Sequence, residues 1–349
     1  MGLGRRHVSV FEAAFVDLAP GRHSAHGMAF DVNGMLYADD LQPTTAEQKR
    51  AYPRVLWLMQ GESDQMNFVD SAPAADFRNF LSKTPADERE KHQKDDAFLR
   101  QWIHGTHVAG IAIRGNPAAQ LVVMQFNDTL PDMPFEPTIE WANRFKDDFW
   151  KVGDYFREHD VRVVNVSWSD DQDEFEEWLT KTSTEKDIVV RKALAAKLYS
   201  IWREGIEGAI RKAPNTLFIC SAGNAGGNAG FLGDVPASLR LPNLVAVGAV
   251  DQAGEETSFT SYGDTVMVDA DGVQVESYVP GGTRLKMSGT SMASPNVANL
   301  AAKLIALDPS LTPQQTIALI EKGADASADG RLHLINPKAT VALLKQSKQ

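Results

Sequence analysis

The sequence is short of the features that assign a protein quickly, and each shortage excludes something. It holds one cysteine, Cys220, so an internal disulfide framework is ruled out. That residue stands in the apolar run "TLFICSAGN", where the expectation is a buried strand residue. No apolar run approaches the roughly 18 residues that a membrane-spanning helix needs, so no membrane span is expected. Basic residues are outnumbered, 35 Lys and Arg against 46 Asp and Glu, for a net charge of −11. A nucleic-acid partner needs clustered Lys and Arg and is excluded on that ground. Internal repeats and low-complexity tracts are absent. The first residues, "MGLGRRHVSVFEAAF", carry a basic patch without an uninterrupted apolar stretch before a small-residue cleavage site, and do not read as a signal peptide.

What is present is ordinary globular material, 349 residues of which 43% are hydrophobic. Short β-branched runs alternate with helical stretches. Candidate strands are "HVSVFE" (7–12), "QLVVMQF" (120–126), "DVRVVNVSW" (160–168), "TLFICSA" (216–222), "LVAVGAV" (244–250) and "TVMVDA" (265–270). They are near-continuous apolar runs, which is how strands of a parallel sheet read when both faces are covered. Candidate helices lie at 105–113, 138–158, 186–212, 291–307, 313–322 and 337–345. Alternation of this kind predicts a three-layer α/β/α fold with a largely parallel central sheet, built as one domain over 1–349. Segments 38–103, 127–160 and 171–213 look like insertions; the last opens with the acidic run "DDQDEFEEW" of a solvated helix face.

Three segments carry chemistry. "MSGTSMASPNVANLAAKLIAL" (287–307) runs from a small-residue turn straight into an apolar helix. Ser291 falls near the helix start, either as a capping residue or as a nucleophile whose oxyanion uses free N–H groups there. Pro295 suits the first helical turn, where its missing N–H costs little. In "HGTHVAGIA" (104–112), His104 and His107 stand three apart on one expected helix, with no acidic third ligand, so no metal site is expected. "SAGNAGGNAG" (221–230) places Asn224 on a glycine-rich loop after a buried strand, as a turn residue or an oxyanion donor. The residues alone do not choose between these readings, nor between His104 and His107.

The segments "GTSMASP" (289–295), "HGTHVAG" (104–110) and "SAGNAG" (221–226) resemble the signature segments of the subtilisin-like serine proteases, in that family's order of His, Asn and Ser. "VVNVSW" (163–168), "VPASLRLPNLVAVGAVD" (235–251) and "SFTSYG" (258–263) are similar too. The resemblance implies a subtilisin-like fold and a serine endopeptidase. Ser291 would be the nucleophile, His104 the general base and Asn224 an oxyanion donor beside the Ser291 N–H. It also implies that Ser167, Trp168 and Ser169 on one side, and Ser221, Ala222 and Gly223 on the other, wall the subsite for the residue before the scissile bond. A peptide or protein substrate would then add to the first wall as a strand.

Two departures stand out. The family's Asp-Ser/Thr-Gly triplet occurs nowhere, and Glu12 occupies the place of its Asp, at the end of "VSVFE". Glu12 would orient His104 as the third triad member, since Ser-His-Glu triads exist. Asp17 or Asp70 could serve instead, or the triad could be degraded, leaving a pseudoprotease that binds peptides or acts as a scaffold. After the serine of "VNVS" the chain places Trp168, Ser169 and Asp170 where the family has Leu-Gly-Gly, so Ser169 and Asp170 are expected to narrow or recharge the cleft. No cofactor is required. Structural calcium is common in the family, but no calcium-loop motif is found here.

Overall fold

The computed structural model describes residues 6–12, 26–30, 36–38, 46–117, 119–125 and 135–347; the side chains of 6–12, 26–30, 36–38, 47–49, 90, 91, 93–98 and 125 lie outside that description. In chain order the elements are β1 (Arg6–Glu12), β2 (His26–Phe30), β3 (Leu36–Ala38), α1 (Ala46–Met66), α2 (Ala72–Lys83), α3 (Ala86–Ala112) and β4 (Ala119–Gln125). They continue with α4 (Ile139–Glu158), β5 (Val161–Val166), α5 (Gln172–Thr182), α6 (Ile188–Lys212), β6 (Leu217–Ser221), α7 (Ala229–Leu232), β7 (Leu244–Val250) and β8 (Val266–Asp271). The last are β9 (Val275–Tyr278), β10 (Arg284–Met287), α8 (Thr290–Leu307), α9 (Pro313–Gly323), β11 (Asp325–Ala326), β12 (His333–Leu334) and α10 (Pro337–Gln346).

Ten strands form one sheet in the order β11-β12-β8-β7-β6-β5-β1-β4-β2-β3. The pairs from β12–β8 through β2–β4 are parallel, and only the outermost pairs, β11–β12 and β2–β3, are antiparallel. The continuous apolar runs are explained by the packing. Val122 and Met124 of β4 join one core with Phe145, Phe149 and Trp202 from α4 and α6. Leu121 and Val123, their neighbours in sequence, join a second core with Val108, Ile111, Val297 and Leu304 from α3 and α8. Successive side chains point to opposite faces of a strand, so every strand residue needs an apolar partner, and the sheet is covered on both sides. This is the expected three-layer arrangement.

Helix starts follow local chemistry. Thr138, Asp171, Asp187 and Asn336 each accept a backbone N–H of their helix as N-caps, and Thr312 with Gln315 forms a full capping box. Two expectations change. The helix carrying His104 begins at Ala86 rather than at Gly105. The region from 46 to 103, expected only as a charged insertion, folds into α1, α2 and the first turns of α3, with a small core of Val55, Met59, Leu99 and Ile103 against Val279 and Leu285 beside the β9–β10 hairpin. Cys220 is buried in β6, and burial pushes its thiol up, out of reach of ordinary thiolate chemistry. No helix among the described residues is long and apolar enough to cross a membrane.

Candidate active site

The site forms at the carboxyl ends of the central parallel strands, where the chain leaves the sheet and side chains are free to converge. β5 ends at Val166 and β6 at Ser221, so the segments Ser167–Ser169 and Ser221–Asn224 emerge side by side. Between them and α3 lies a cleft of about 420 Å³. It is lined by His104, Ser167, Trp168, Ser169, Ser221, Gly223, Asn224 and Ser291, together with Met59, Arg100, Gln101 and Met287. Ala222 is fully buried behind the wall instead of lining it. Trp168 is held by stacking on Phe149, ring centroids 6.3 Å apart.

Ser291 reaches the cleft because of how α8 begins. Gly289 is the N-cap, at φ 150° and ψ 161°, a conformation open to glycine and disfavoured for other residues. Its N–H is held by the Gly272 carbonyl at 2.8 Å, which sets the abrupt turn from strand into helix. Ser291 is therefore the second residue of the helix and not its cap. Its N–H belongs to the first turn, where no intrahelical acceptor exists and the dipole is positive.

Pro295 is also displaced from expectation, lying buried in the second turn. Its missing N–H leaves the Ser291 carbonyl without the usual partner, and the Ser167 hydroxyl donates to it instead at 2.9 Å. The exchange is reciprocal, because Ser291 Oγ donates to the Ser167 carbonyl at 3.0 Å. Asn165 Nδ2 donates to Ser167 Oγ, and Ser294 Oγ lies 2.9 Å from it. The nucleophile candidate and the cleft wall are thus one hydrogen-bonded unit.

The orientation of Asn224 follows from its partners. The Thr290 N–H and the Thr290 hydroxyl both donate to its Oδ1, each at 2.9 Å. A backbone N–H only donates, so the atom it meets is the amide oxygen. Asn224 Nδ2 is left as the donor end of the amide, beside the start of α8.

The two histidines diverge, although both lie on α3. His104 faces the cleft. His107 is fully buried, shares a 2.9 Å hydrogen bond between Nε2 and the Leu285 carbonyl, and has its pKa lowered to about 3, first by desolvation. Ser277 Oγ donates to the His107 carbonyl at 2.7 Å, and the absence of a side chain at Gly110 lets Ser277 sit there. His107 fastens α3 to the β9–β10 hairpin and stays neutral at any working pH.

Of the acids, Glu12 ends β1 and is paired in register with Gln125; Phe11 pairs with Val166, so Glu12 stands level with Ser167 at the same sheet edge. Its side chain, and all of Asp17, lie outside the described residues. Asp70 is an exposed partner of Arg78, 93% accessible, and does not line the cleft. Asp170 corrects the expectation of a recharged cleft. It is 2% exposed and accepts the Trp202 indole N–H at 2.9 Å, so only Ser169 of that pair meets the cleft.

Sequence reasoning missed Met59, Arg100, Gln101 and Met287. Arg100, 3.0 Å from Glu62, and Gln101 precede His104 by four and three residues on one helix. Extending that helix backwards was the signal that would have found them.

The Subtilase family model matches residues 37–336. Subtilisin NAT from Bacillus subtilis subsp. natto is 35% identical over 230 residues, covering 63% of this chain and 50% of the relative. The thermophilic serine proteinase of Bacillus sp. (strain AK1) is 46% identical over 101 residues, 28% of this chain and 24% of the relative. The chain thus spans half or less of the length of these relatives. Among solved structures, the PatG macrocyclase in complex with peptide matches with TM-score 0.61 at 14% identity, over 98% of this chain and 92% of that one. The self-cleaved protease domain of PatA matches with TM-score 0.55 at 20% identity, over 98% and 97%. At such identities the structural likeness speaks for the fold.

Proposed function

The chain belongs to the subtilase family, and from that premise we propose that it is a serine endopeptidase acting through an acyl-enzyme on Ser291. The observation that carries this reading is the meeting of His104, Asn224 and Ser291 in one cleft, with Asn224 Nδ2 turned beside the free N–H groups of α8. Ser291 Oγ leaves the Ser167 carbonyl by a side-chain rotation, gives its proton to His104 and attacks the peptide carbonyl carbon. The carbonyl oxygen gains charge and is held by Asn224 Nδ2–H and the Ser291 N–H. His104 then passes the proton to the leaving amine, and the C–N bond breaks. Water, deprotonated by the same imidazole, releases the acid and regenerates the serine. Glu12, at the end of β1, is the acid assigned to orient His104 and stabilise its imidazolium. A peptide substrate lies along Ser167–Ser169 as an added strand.

Labelling with a fluorophosphonate probe tests the proposal. Folded wild-type protein should label, Ser291→Ala should not, and Glu12→Gln should lower turnover sharply. Folded wild type that fails to label would replace the enzyme with a peptide-binding pseudoprotease on the same fold.

A further inference from the structure

Two side chains immediately behind the cleft are left unused by this chemistry. Asp234 is 7% exposed, and no hydrogen bond or ion pair from a described residue reaches its carboxylate. Ser261 is fully buried, and its hydroxyl has no partner among the described residues. Both stand against Gly223, a residue of the cleft wall. A methyl group built there would lie 2.9 Å from Asp234 Oδ2 and 3.0 Å from Ser261 Oγ. Gly223 also sits at φ 104°, so glycine is required twice over, by conformation and by space.

The same segment reaches the opposite wall. The Val235 N–H donates to the Asp170 carbonyl at 2.9 Å, and the Asp170 N–H to the Val235 carbonyl at 3.1 Å. This bridge ties the residue after Asp234 to the residue after Ser169. Asp234 therefore stands against Gly223 of one wall and, through the neighbouring Val235, is tied to the end of the other. Burial, with repulsion from Asp171, pushes its carboxyl up to about 6. A buried carboxylate normally has a cation or several donors. Arg203, which like Asp234 acts on Tyr199, donates to Ser238 Oγ at 3.0 Å. None of the described residues supplies the missing partner, and a ligand can.

We propose that Asp234 is the specificity-determining base of the subsite for the residue before the scissile bond, and that it selects lysine or arginine there. The inference rests on the endopeptidase reading. The stem of a long cationic side chain lies along Trp168 and Gly223 while its head meets the carboxylate, with the Ser261 hydroxyl as a second acceptor. An acid at the base of this pocket is a sufficient device for such a choice. Apolar side chains are rejected because they leave the carboxylate buried and unpaired. The net charge of −11 favours encounter with basic segments.

The test uses matched peptide substrates that differ only in that residue, Arg, Lys, Leu or Phe, with enzyme counted by fluorophosphonate labelling. Wild type should favour Arg and Lys by at least about 10²-fold in kcat/KM. Asp234→Asn should lose about 10²–10³-fold on the cationic substrates, keep or gain activity on Leu, and label as wild type does. Asp234→Glu should retain the cationic preference in part, which guards against a general structural defect. Wild type that labels but favours Leu or Phe, or an Asp234→Asn variant that loses all four substrates equally, overturns the inference while the endopeptidase reading stands. Folded wild type that does not label overturns both.

Discussion

His104 and His107 sit three residues apart on α3 and differ in everything but composition. His107 is enclosed, bonded to the Leu285 carbonyl and held far below its ordinary pKa, whereas His104 opens onto the cleft with Ser291 and Asn224. The two acids at the Asp170–Val235 bridge repeat the pattern. Asp170 accepts the Trp202 indole, while Asp234, one residue before the bridge, has no donor among the described residues. In both pairs the fold ties one residue by a buried hydrogen bond to a distant segment, Leu285 or Trp202, and sets the other at the cleft or against its wall. A buried hydrogen bond stabilises the molecule; a buried carboxylate without a donor costs stability and is retained where a ligand can use it.

The largest effect should separate the histidines. His104→Ala is expected to lower kcat by about 10⁶-fold, the loss seen when a subtilisin loses its base, with the thermal midpoint nearly unchanged. His107→Ala should instead cost about 2–4 kcal/mol, through a cavity and an orphaned Leu285 carbonyl, while folded molecules keep their turnover. Acid melts sharpen the contrast. The folded pKa of His107, about 3, lies below the ordinary 6.5. The unfolded chain therefore binds a proton that the folded chain refuses. This contribution is intact above pH 6.5 and is lost as pH falls toward 3, by up to about 1.4 kcal/mol per pH unit. Urea unfolding at pH 7 and pH 4.5 reads the slope, and His107→Gln should flatten it. A folded His107→Ala protein without activity would remove the distinction.

Next in size is Asn224→Ala. Its amide oxygen is consumed by Thr290 and its Nδ2 is not, so the two halves of one side chain repeat the comparison. Loss of the donor should reduce kcat by about 10²–10³-fold, the range that removal of such an amide causes in a subtilisin, with KM little changed. Steady-state kinetics on a peptide amide measures it. A change confined to KM would place the amide in ground-state binding instead.

The contrast within these pairs was only partly legible in the chain. Continuous apolar runs located β1, β4, β5, β6, β7 and β8 within a residue or two, because a sheet covered on both faces leaves no polar alternation to misread. Ser291, His104 and Asn224 stood out through the likeness of their segments to the family's signature segments, since the residues alone left capping, turn and metal-free readings open. The hairpin β9–β10 and helices α1 and α2 did not, since their apolar residues are few and are organised by contacts distant in sequence, such as Leu285 with His107. Asp170 was misplaced for the same reason. Nothing beside it in the chain announces Trp202, 32 residues away, and without that indole an acid after Ser169 reads as a cleft residue. Asp234 is equally silent in sequence; its meaning comes from Gly223 and from a bridge to another segment.

The smallest effect is also the one with an unexpected sign. The Asp234 carboxyl titrates near 6 in the folded protein against an ordinary 3.8, chiefly because it is desolvated. The folded state thus holds this proton more tightly than the unfolded state does, and the charged form is a liability. The liability is full above pH 6 and fades as pH falls toward 4. Asparagine is neutral throughout, so Asp234→Asn should stabilise the free protein at pH 8, by about 1–2 kcal/mol once solvent screening is allowed for, and have little effect at pH 4. Asp170→Ala should do the opposite, costing about 1–3 kcal/mol by leaving the Trp202 indole N–H buried without its acceptor. Thermal melts of the two variants at pH 8 decide the matter. If Asp234→Asn melts below wild type there, the fold has a use for that carboxylate, and Asp234 joins Asp170 among the groups that the fold ties.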